Sequence, residues 1–427
     1  MSVFVAQCCR YLLHSAVIAF ALQALTGILL MTAYEPSARP ALSESGKRVV
    51  IWEMTGTLRH APSKITYKAH SYLFAEYDTA NSAPLLALDT LHTLSRSVTH
   101  PATNQVLSPS QAYLSVEQGI MRFADFGVLV RGVHRASSHL LIGLMLVWFV
   151  LSVLSKNFLQ IPLPAWCSAV ALVAALHGSG LTGYILPFDT RGFHALEILT
   201  STLDSTPLGG QTLASMIRGA SDSIGALSLL RVYVLHVALL PVLAVFCWVV
   251  LKRREQLFPA VQYFLKSEQF PKLLVIAGLV VWLSVSGGSV LLSQDSIPNL
   301  PADLTQPAFH NPSDMPEWYF YPIFLCLQFL QSGVLTWGLM ICFIVLVLMP
   351  LAGRVGNIFA MVVHQSASIL VLAWFIAATI GLVRGFTAAR VAPLSEEMVE
   401  ILVVTTVLTI ALCGVSILLL RTNKQRQ

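Results

Sequence analysis

Eight separate stretches of this chain are long and apolar enough to cross a bilayer, and that limits everything else it can fold into. A spanning helix needs about 20 mostly apolar residues, because its backbone must satisfy its own hydrogen bonds where no water reaches. The stretches lie at 11–33, 126–153, 162–187, 228–251, 272–293, 332–352, 366–385 and 399–421. Only 11% of the 427 residues are charged, against about 25% in an ordinary soluble domain. A soluble enzyme, a disordered tail and a disulfide scaffold are thereby excluded. The expected fold class is an all-α membrane protein of about eight transmembrane helices. The first stretch follows Arg10 as a secretory signal would, but it is long enough to span and no small-residue cleavage site follows it.

Charge placement orients the bundle. An even number of spans puts both termini on one side. The short connections and helix ends of that side hold eleven Lys or Arg against two acids, Glu255 and Glu268. The rest of the chain holds fifteen basic residues and nineteen acids. The positive-inside rule then places both termini in the cytoplasm. The net charge of +5 reads as this orientation signal and not as a nucleic-acid surface. The seven cysteines form no CxxC pair and no CxxCH haem-attachment site; small buried hydrophobes are their simplest reading. Three connections on the opposite, outer side are long, and loops of that length are often functional. Within the second, Phe193 to Leu203 and Leu213 to Ala220 read as short surface helices.

Ionisable side chains inside spans are costly, so each is a candidate site residue. The second span carries Arg131, His134, Arg135 and His139; the third carries His177; the fourth carries Arg231 and His236. His134 and His236 lie at similar depth, each about two turns in from the outer side. Two histidines so placed on different helices can hold one haem iron from its two faces, with arginines at the rim for the propionates. A pair of helix–helix hydrogen-bonding histidines is the competing explanation. Gly27 and Gly183 fall near the same depth, where a porphyrin edge needs room and where close helix contacts equally favour small residues.

Several motifs in register resemble cytochrome b. They are Gln23-Ala-Leu-Thr-Gly27 with Tyr34-Glu-Pro36, Arg131-Gly-Val-His134-Arg-Ala-Ser, Gly183-Tyr-Ile-Leu-Pro187-Phe-Asp, Arg231-Val-Tyr-Val-Leu-His236, and Pro316-Glu-Trp-Tyr319-Phe-Tyr-Pro322. The resemblance covers the first six spans. It implies that the first four form a haem-binding four-helix bundle in the membrane subunit of a quinol:cytochrome c or plastocyanin oxidoreductase. It further implies that His134 and His236 ligate the iron of an outer b haem, with Arg131 and Arg231 nearby and Gly27 and Gly183 giving it room. Pro316, Glu317, Trp318 and Tyr319 would form the quinol site, with Glu317 taking a quinol proton and Tyr319 shaping the pocket. Implied partners are quinol, a Rieske iron–sulfur protein, a cytochrome c type subunit and membrane lipid, within a multisubunit complex built on a homodimer. The implied location is a bacterial cytoplasmic membrane, as an integral multi-pass protein.

Three departures stand against that pattern. The family carries a second histidine fourteen residues after each outer ligand, about 21 Å along a helix. Those positions here are Trp148 and Val250, with Leu251 the next. The matching inner glycines are replaced around Leu13 and Ala169. The expectation is one haem b on the outer side, no inner haem, and no full Q-cycle. His14, Cys167 and Cys247 are the alternative inner ligands. Second, residues 38–112 form an extra outer-side insertion, expected to dock a partner, containing His60, His70, His92 and His100 without metal-motif spacing. Third, the Pro187-Phe-Asp-Thr-Arg-Gly-Phe-His194 loop makes Arg191 and His194 candidates for altered quinone or partner contacts. The expected division is 1–37 with the first helix, 38–112, 113–256 with helices two to four, and 257–427 with the remainder. A catalytically inactive structural or quinone-binding subunit, and a two-haem protein with non-standard inner ligands, are the alternatives.

Overall fold

In the computed structural model, the described residues are 3–43, 46–53, 58–59, 66–67, 72–78, 83–85, 108–120, 124–156, 158, 161–206, 209–219, 224–252, 269–294, 316–351 and 357–388. Helix α1 (Val3–Met31) is followed by five short strands: β1 (Val49–Glu53), β2 (Leu58–Arg59), β3 (Thr66–Tyr67), β4 (Tyr72–Asp78) and β5 (Ala83–Leu85). A single helical turn, α2 (Gln111–Leu114), runs into a wider turn over Ser115–Ile120. Then come α3 (Ala124–Leu154), α4 (Leu163–Ile185), α5 (Thr190–Asp204), α6 (Gly210–Arg218), α7 (Ser228–Val234) and α8 (Leu240–Lys252). The last helices among the described residues are α9 (Gln269–Gln294), α10 (Tyr321–Phe329), α11 (Ser332–Leu348) and α12 (Asn357–Ala388).

Six stretches of the described residues are long and apolar enough to cross a membrane: Gln7–Met31, Phe126–Leu154, Leu163–Ile185, Ser228–Leu251, Ser332–Leu351 and Phe359–Val383. The chain is an integral multi-pass membrane protein. Two of the eight expected spans are missing from that set. The fifth is helical as α9, but its apolar stretch, Lys272–Gly288, is shorter than the others. The eighth, 399–421, lies outside the described residues. The seventh begins earlier than hydropathy indicated, at Asn357 rather than 366, because its polar interruption is satisfied inside the protein. His364 Nε2 lies 3.1 Å from the Val153 carbonyl, and the ring stacks on Phe158.

The described residues are mostly helical, as expected, but short strands pair between α1 and α2. There β1, β4 and β5 form an antiparallel sheet in the order β1-β4-β5, and β2 pairs with β3. β-Branched runs such as Val49-Val50-Ile51 favour a pleated surface. His60, His70, His92 and His100 lie outside the described residues.

Four helices build the site: α1 packs on α3, α3 on α4, and α4 on the continuous α7–α8 rod. Helix α9 packs on α3 and also touches α1. The Tyr34 hydroxyl donates to the Leu186 carbonyl at 2.7 Å, tying the outer ends of α1 and α4 together. Between α4 and α5, Asp189 caps α5 by accepting from the Gly192 N–H at 2.7 Å. The two short outer helices read from sequence occur as α5 and α6.

The inner half of the bundle is a packed apolar cluster. Leu13, Trp148, Ala169, Cys247 and Leu251 all belong to it, and Trp148 is 1% exposed. Phe149 stacks on Trp166, whose indole N–H donates to the Leu346 carbonyl at 2.7 Å and pins α4 to α11. Removing the Trp148 side chain leaves a void that close-packed neighbours fill only in part. Trp148→Ala is expected to cost about 3–5 kcal/mol, read as a lower unfolding midpoint in detergent; an unchanged midpoint would show that the indole is not a packing element.

Candidate functional site

His134 on α3 and His236 just beyond α7 face each other across the outer half of the bundle, with ring centroids 6.3 Å apart and planes at 70°. His236 sits in a widened turn, Leu235–Leu239. Pro241 lacks an N–H, and the Leu240 N–H bonds five residues back to the Leu235 carbonyl. Such bulges often accompany functional side chains.

Hydrogen bonding fixes the tautomer of both rings. His236 Nδ1 lies 3.0 Å from the Ser179 carbonyl and 3.1 Å from Thr182 Oγ1. A carbonyl only accepts, so Nδ1 carries the proton and Nε2 keeps its lone pair. His134 Nδ1 lies 3.0 Å from Thr26 Oγ1, whose own proton goes to the Leu22 carbonyl at 2.8 Å. Again Nδ1 is the donor. The lone pair of His134 Nε2 meets the Gln23 amide nitrogen at 3.0 Å, and the Gln23 carbonyl accepts from Ser137 at 2.5 Å.

Gly27 and Gly183 lie directly against these rings. A Cβ at Gly27 would stand 3.1 Å from His134 Cε1, and one at Gly183 2.8 Å from His236 Cε1. The room they leave is room for the imidazoles. Gly183→Val is expected to displace His236 at an overpacking cost of about 1–3 kcal/mol. It would appear as a fall in b-band absorbance per chain, and an unaltered spectrum would remove this role for the glycine.

Deeper along α3, a second group assembles around Glu317, in the connection before α10. Arg135 Nη2 donates to Glu317 Oε1 at 2.9 Å, and His139 Nε2 lies 3.4 Å from Oε2. Arg135 and His139 are four residues apart, so they share one face of α3. The Trp318 indole donates to His139 Nδ1 at 3.1 Å. Tyr319 is buried, with its ring edge-to-face against His139 at 5.6 Å and His177 at 6.2 Å. Burial by itself pushes the Glu317 carboxyl up, but the Arg135 guanidinium, with Arg191, outweighs it and holds the group below the usual carboxylate range. The carboxylate is therefore ionised at neutral pH. Its contribution to stability is present above the ordinary carboxyl value and is lost as pH falls through the lowered folded one.

The sequence reading singled out Arg135 and His139 as costly residues but gave neither a partner. The i,i+4 spacing was the available signal; that a carboxylate from a segment about 180 residues later meets both was not. Arg131 pairs with Glu117 at 3.9 Å, and Arg231 donates to the Met216 carbonyl, so both engage outer connections of this chain. His194 pairs with Glu197 at 3.1 Å on the next turn of α5. Of the inner positions, Trp148 is fully enclosed, Val250 is half-buried, and Leu251 turns into the core.

Residues 103–252 match the family model for cytochrome b/b6/petB. The chain carries a cytochrome b/b6 domain. Its limits enclose His134, His236, Arg131, Arg231 and Gly183, as well as Trp148 and Val250; Gly27 and the Pro316–Tyr319 stretch lie outside them. A chain from the solved structure titled "Hyperthermophilic respiratory Complex III" shares the overall fold, with a TM-score of 0.56 and 13% identity over 95% of this chain and 89% of that one.

A cytochrome b/b6 domain implies haem b. The donor set fits it: iron-bound histidines hold their second ring nitrogen with a carbonyl or hydroxyl acceptor, as Ser179 and Thr26 do here. The spacing fits as well. An imidazole nitrogen binds a metal at about 2 Å, and adding about 1 Å from each nitrogen to its ring centre gives about 6 Å between centroids.

Proposed function

We propose that this chain is the cytochrome b subunit of a Rieske/cytochrome b type complex, oxidising quinol at its outer face and passing electrons through a single b haem. The observation that carries the reading is the pairing of His134 and His236, both with lone pairs at Nε2, in the same bundle half that holds Glu317 against α3.

His134 and His236 are the groups that would hold the haem, which when bound supplies a one-electron redox centre. Thr26, Ser179 and Thr182 keep both rings in the ligating tautomer. Arg131 and Arg231 lie toward the outer rim, where cations balance propionate charge. Glu317 is proton-free at neutral pH and enclosed, so it can take one of the protons that quinol releases on oxidation. Pro316, Trp318 and Tyr319 shape that pocket, with Arg191 close to the carboxylate; Arg191 and His194, both on α5, are the candidates for quinone or partner contacts. The partners on this reading are a Rieske protein and a cytochrome c type subunit within a dimeric assembly in a bacterial cytoplasmic membrane, both termini inside, with the 38–112 insertion as a docking surface.

An inner haem has no place in this proposal. Leu13, Trp148, Ala169 and Leu251 occupy the inner positions as one buried cluster, and a porphyrin is far larger than an indole. The full Q-cycle, which needs an inner electron carrier, is therefore not the mechanism proposed.

The deciding experiment is a pyridine haemochrome assay on the purified chain, followed by quinol addition. One haem b per chain, reduced by quinol, is the expected result. Two haems would overturn the single-haem reading in favour of non-standard inner ligands. A haem that quinol does not reduce would favour an inactive quinone-binding or structural subunit.

A further inference from the structure

His139 is the one residue at the Glu317 site whose chemistry is fixed by its neighbours and yet is unused above. Its Nδ1 receives the Trp318 indole N–H at 3.1 Å. An indole nitrogen can only donate, so Nδ1 must carry a lone pair. In the neutral ring the proton then sits on Nε2, and that nitrogen lies 3.4 Å from Glu317 Oε2. Arg135, one turn earlier on α3, holds Oε1 at 2.9 Å. The two oxygens of one carboxylate are thus each met by a donor from the same helix, and the residue following Glu317 sets the tautomer of one of them.

We propose that His139 is a positioning residue for Glu317, locked by the Trp318 indole as a neutral Nε2–H donor so that α3 holds the proton-free carboxylate in place. The proposal rests on the quinol-oxidising reading for its purpose but not for its geometry. A carboxylate accepts the Arg135 hydrogen bond strongly and attracts the His139 Nε2–H at 3.4 Å; once it takes a proton both attractions weaken. Gain of a quinol proton therefore loosens the clamp at both oxygens together and frees the carboxyl to turn. His139 cannot itself relay that proton while the clamp is closed. Its Nε2 already bears hydrogen, and its Nδ1 faces a donor. Among the described residues, Arg191 of α5 and the adjacent Tyr319 also lie near the carboxylate, with Tyr184 and His177 of α4 beside Tyr319.

Glutamine at position 139 can keep both contacts, its carbonyl accepting from Trp318 and its amide donating to Glu317; leucine keeps neither. The test uses the full chain in its membrane complex, with nitrogen-15-labelled histidine followed by solid-state nuclear magnetic resonance. The chain has 12 histidines, and the signal absent from H139Q identifies residue 139. That signal is expected to show a neutral ring protonated at Nε2, and in W318F to become a mixture of tautomers. An Nδ1-protonated or doubly protonated ring in the native chain would overturn the proposal, as would an unchanged tautomer in W318F.

Kinetics supply the second readout. H139L is expected to slow quinol-driven haem reduction about tenfold, the scale of one lost hydrogen bond to a charged group. Its acid limb should move to higher pH, because Glu317 loses a partner for its charged form. H139Q should stay within about twofold of the native rate. Equal losses in both variants would overturn the positioning role. If the native chain does not react with quinol at all, the functional reading fails while the tautomer measurement still decides the clamp.

Discussion

Replacing His134 or His236 with leucine is expected to abolish the low-spin b-type spectrum, with either single change as damaging as both. The two rings act as a unit. Their centroids stand 6.3 Å apart, and each ring's Nδ1 proton is given to a fixed acceptor on a neighbouring helix. Loss of one ring leaves the iron a single protein ligand, while Thr26, or Ser179 with Thr182, loses one buried hydrogen bond and keeps its partners in its own helix. A lost hydrogen bond of this kind costs about 0.5–1.5 kcal/mol, so a small loss of stability should accompany the spectral loss. Haem content per chain and the reduced-minus-oxidised α-band are the measurements. A variant that keeps a six-coordinate low-spin spectrum would show that another side chain ligates the iron. Histidine-to-glutamine controls are less informative, because an amide can still satisfy the second-nitrogen acceptors.

Glu317→Gln is expected to lower the rate of quinol-driven haem reduction by about 10²–10⁴, the range over which a positioned acid–base group contributes. Glutamine fills the same space and can still accept from Arg135 through its amide oxygen, so the fold and the haem spectrum should survive. The ionised oxygen facing His139 is lost, and with it the acceptor for a quinol proton. A fall in kcat with little change in KM is the expected pattern, since the proton moves in the reaction and not in binding. A native rate in E317Q would reassign the acceptor; a large change in KM alone would make Glu317 a binding group.

Much of the bundle could be read from hydropathy. A span in lipid must satisfy its backbone internally, so length and apolar content suffice to place α1, α3, α4, α7–α8, α11 and α12. Boundaries were less legible. The stretch that hydropathy starts at 366 begins at Asn357, and His364 lies within that helix, its ring nitrogen meeting the Val153 carbonyl. The insertion was legible only as extra length. Its strands pair segments such as Val49–Glu53 and Tyr72–Asp78 across an intervening loop, and such register is set by pairing partners that composition does not name.

The candidate site divides in the same way. His134, His236, Gly27 and Gly183 announced themselves by type, depth and spacing, since a lone ionisable or small residue within an apolar span stands out against its background. The inner positions 13, 148, 169 and 250, with 251 next, were equally plain as apolar substitutions in the resemblance; the structure adds that 13, 148, 169 and 251 share one packed cluster while Val250 is half-buried.

What the sequence by itself determined is that this chain lives in a bilayer, which of its residues are expensive there, and that it resembles cytochrome b. Only the tertiary structure decided what offsets that expense. Arg135 and His139 on α3 are met by Glu317 and Trp318 from a connection far along the chain. The physical reason is that helical periodicity fixes which residues share a face, whereas the partner of that face is chosen by the packing of distant segments. A buried charge in low dielectric is tolerable only where that packing supplies its counter-charge.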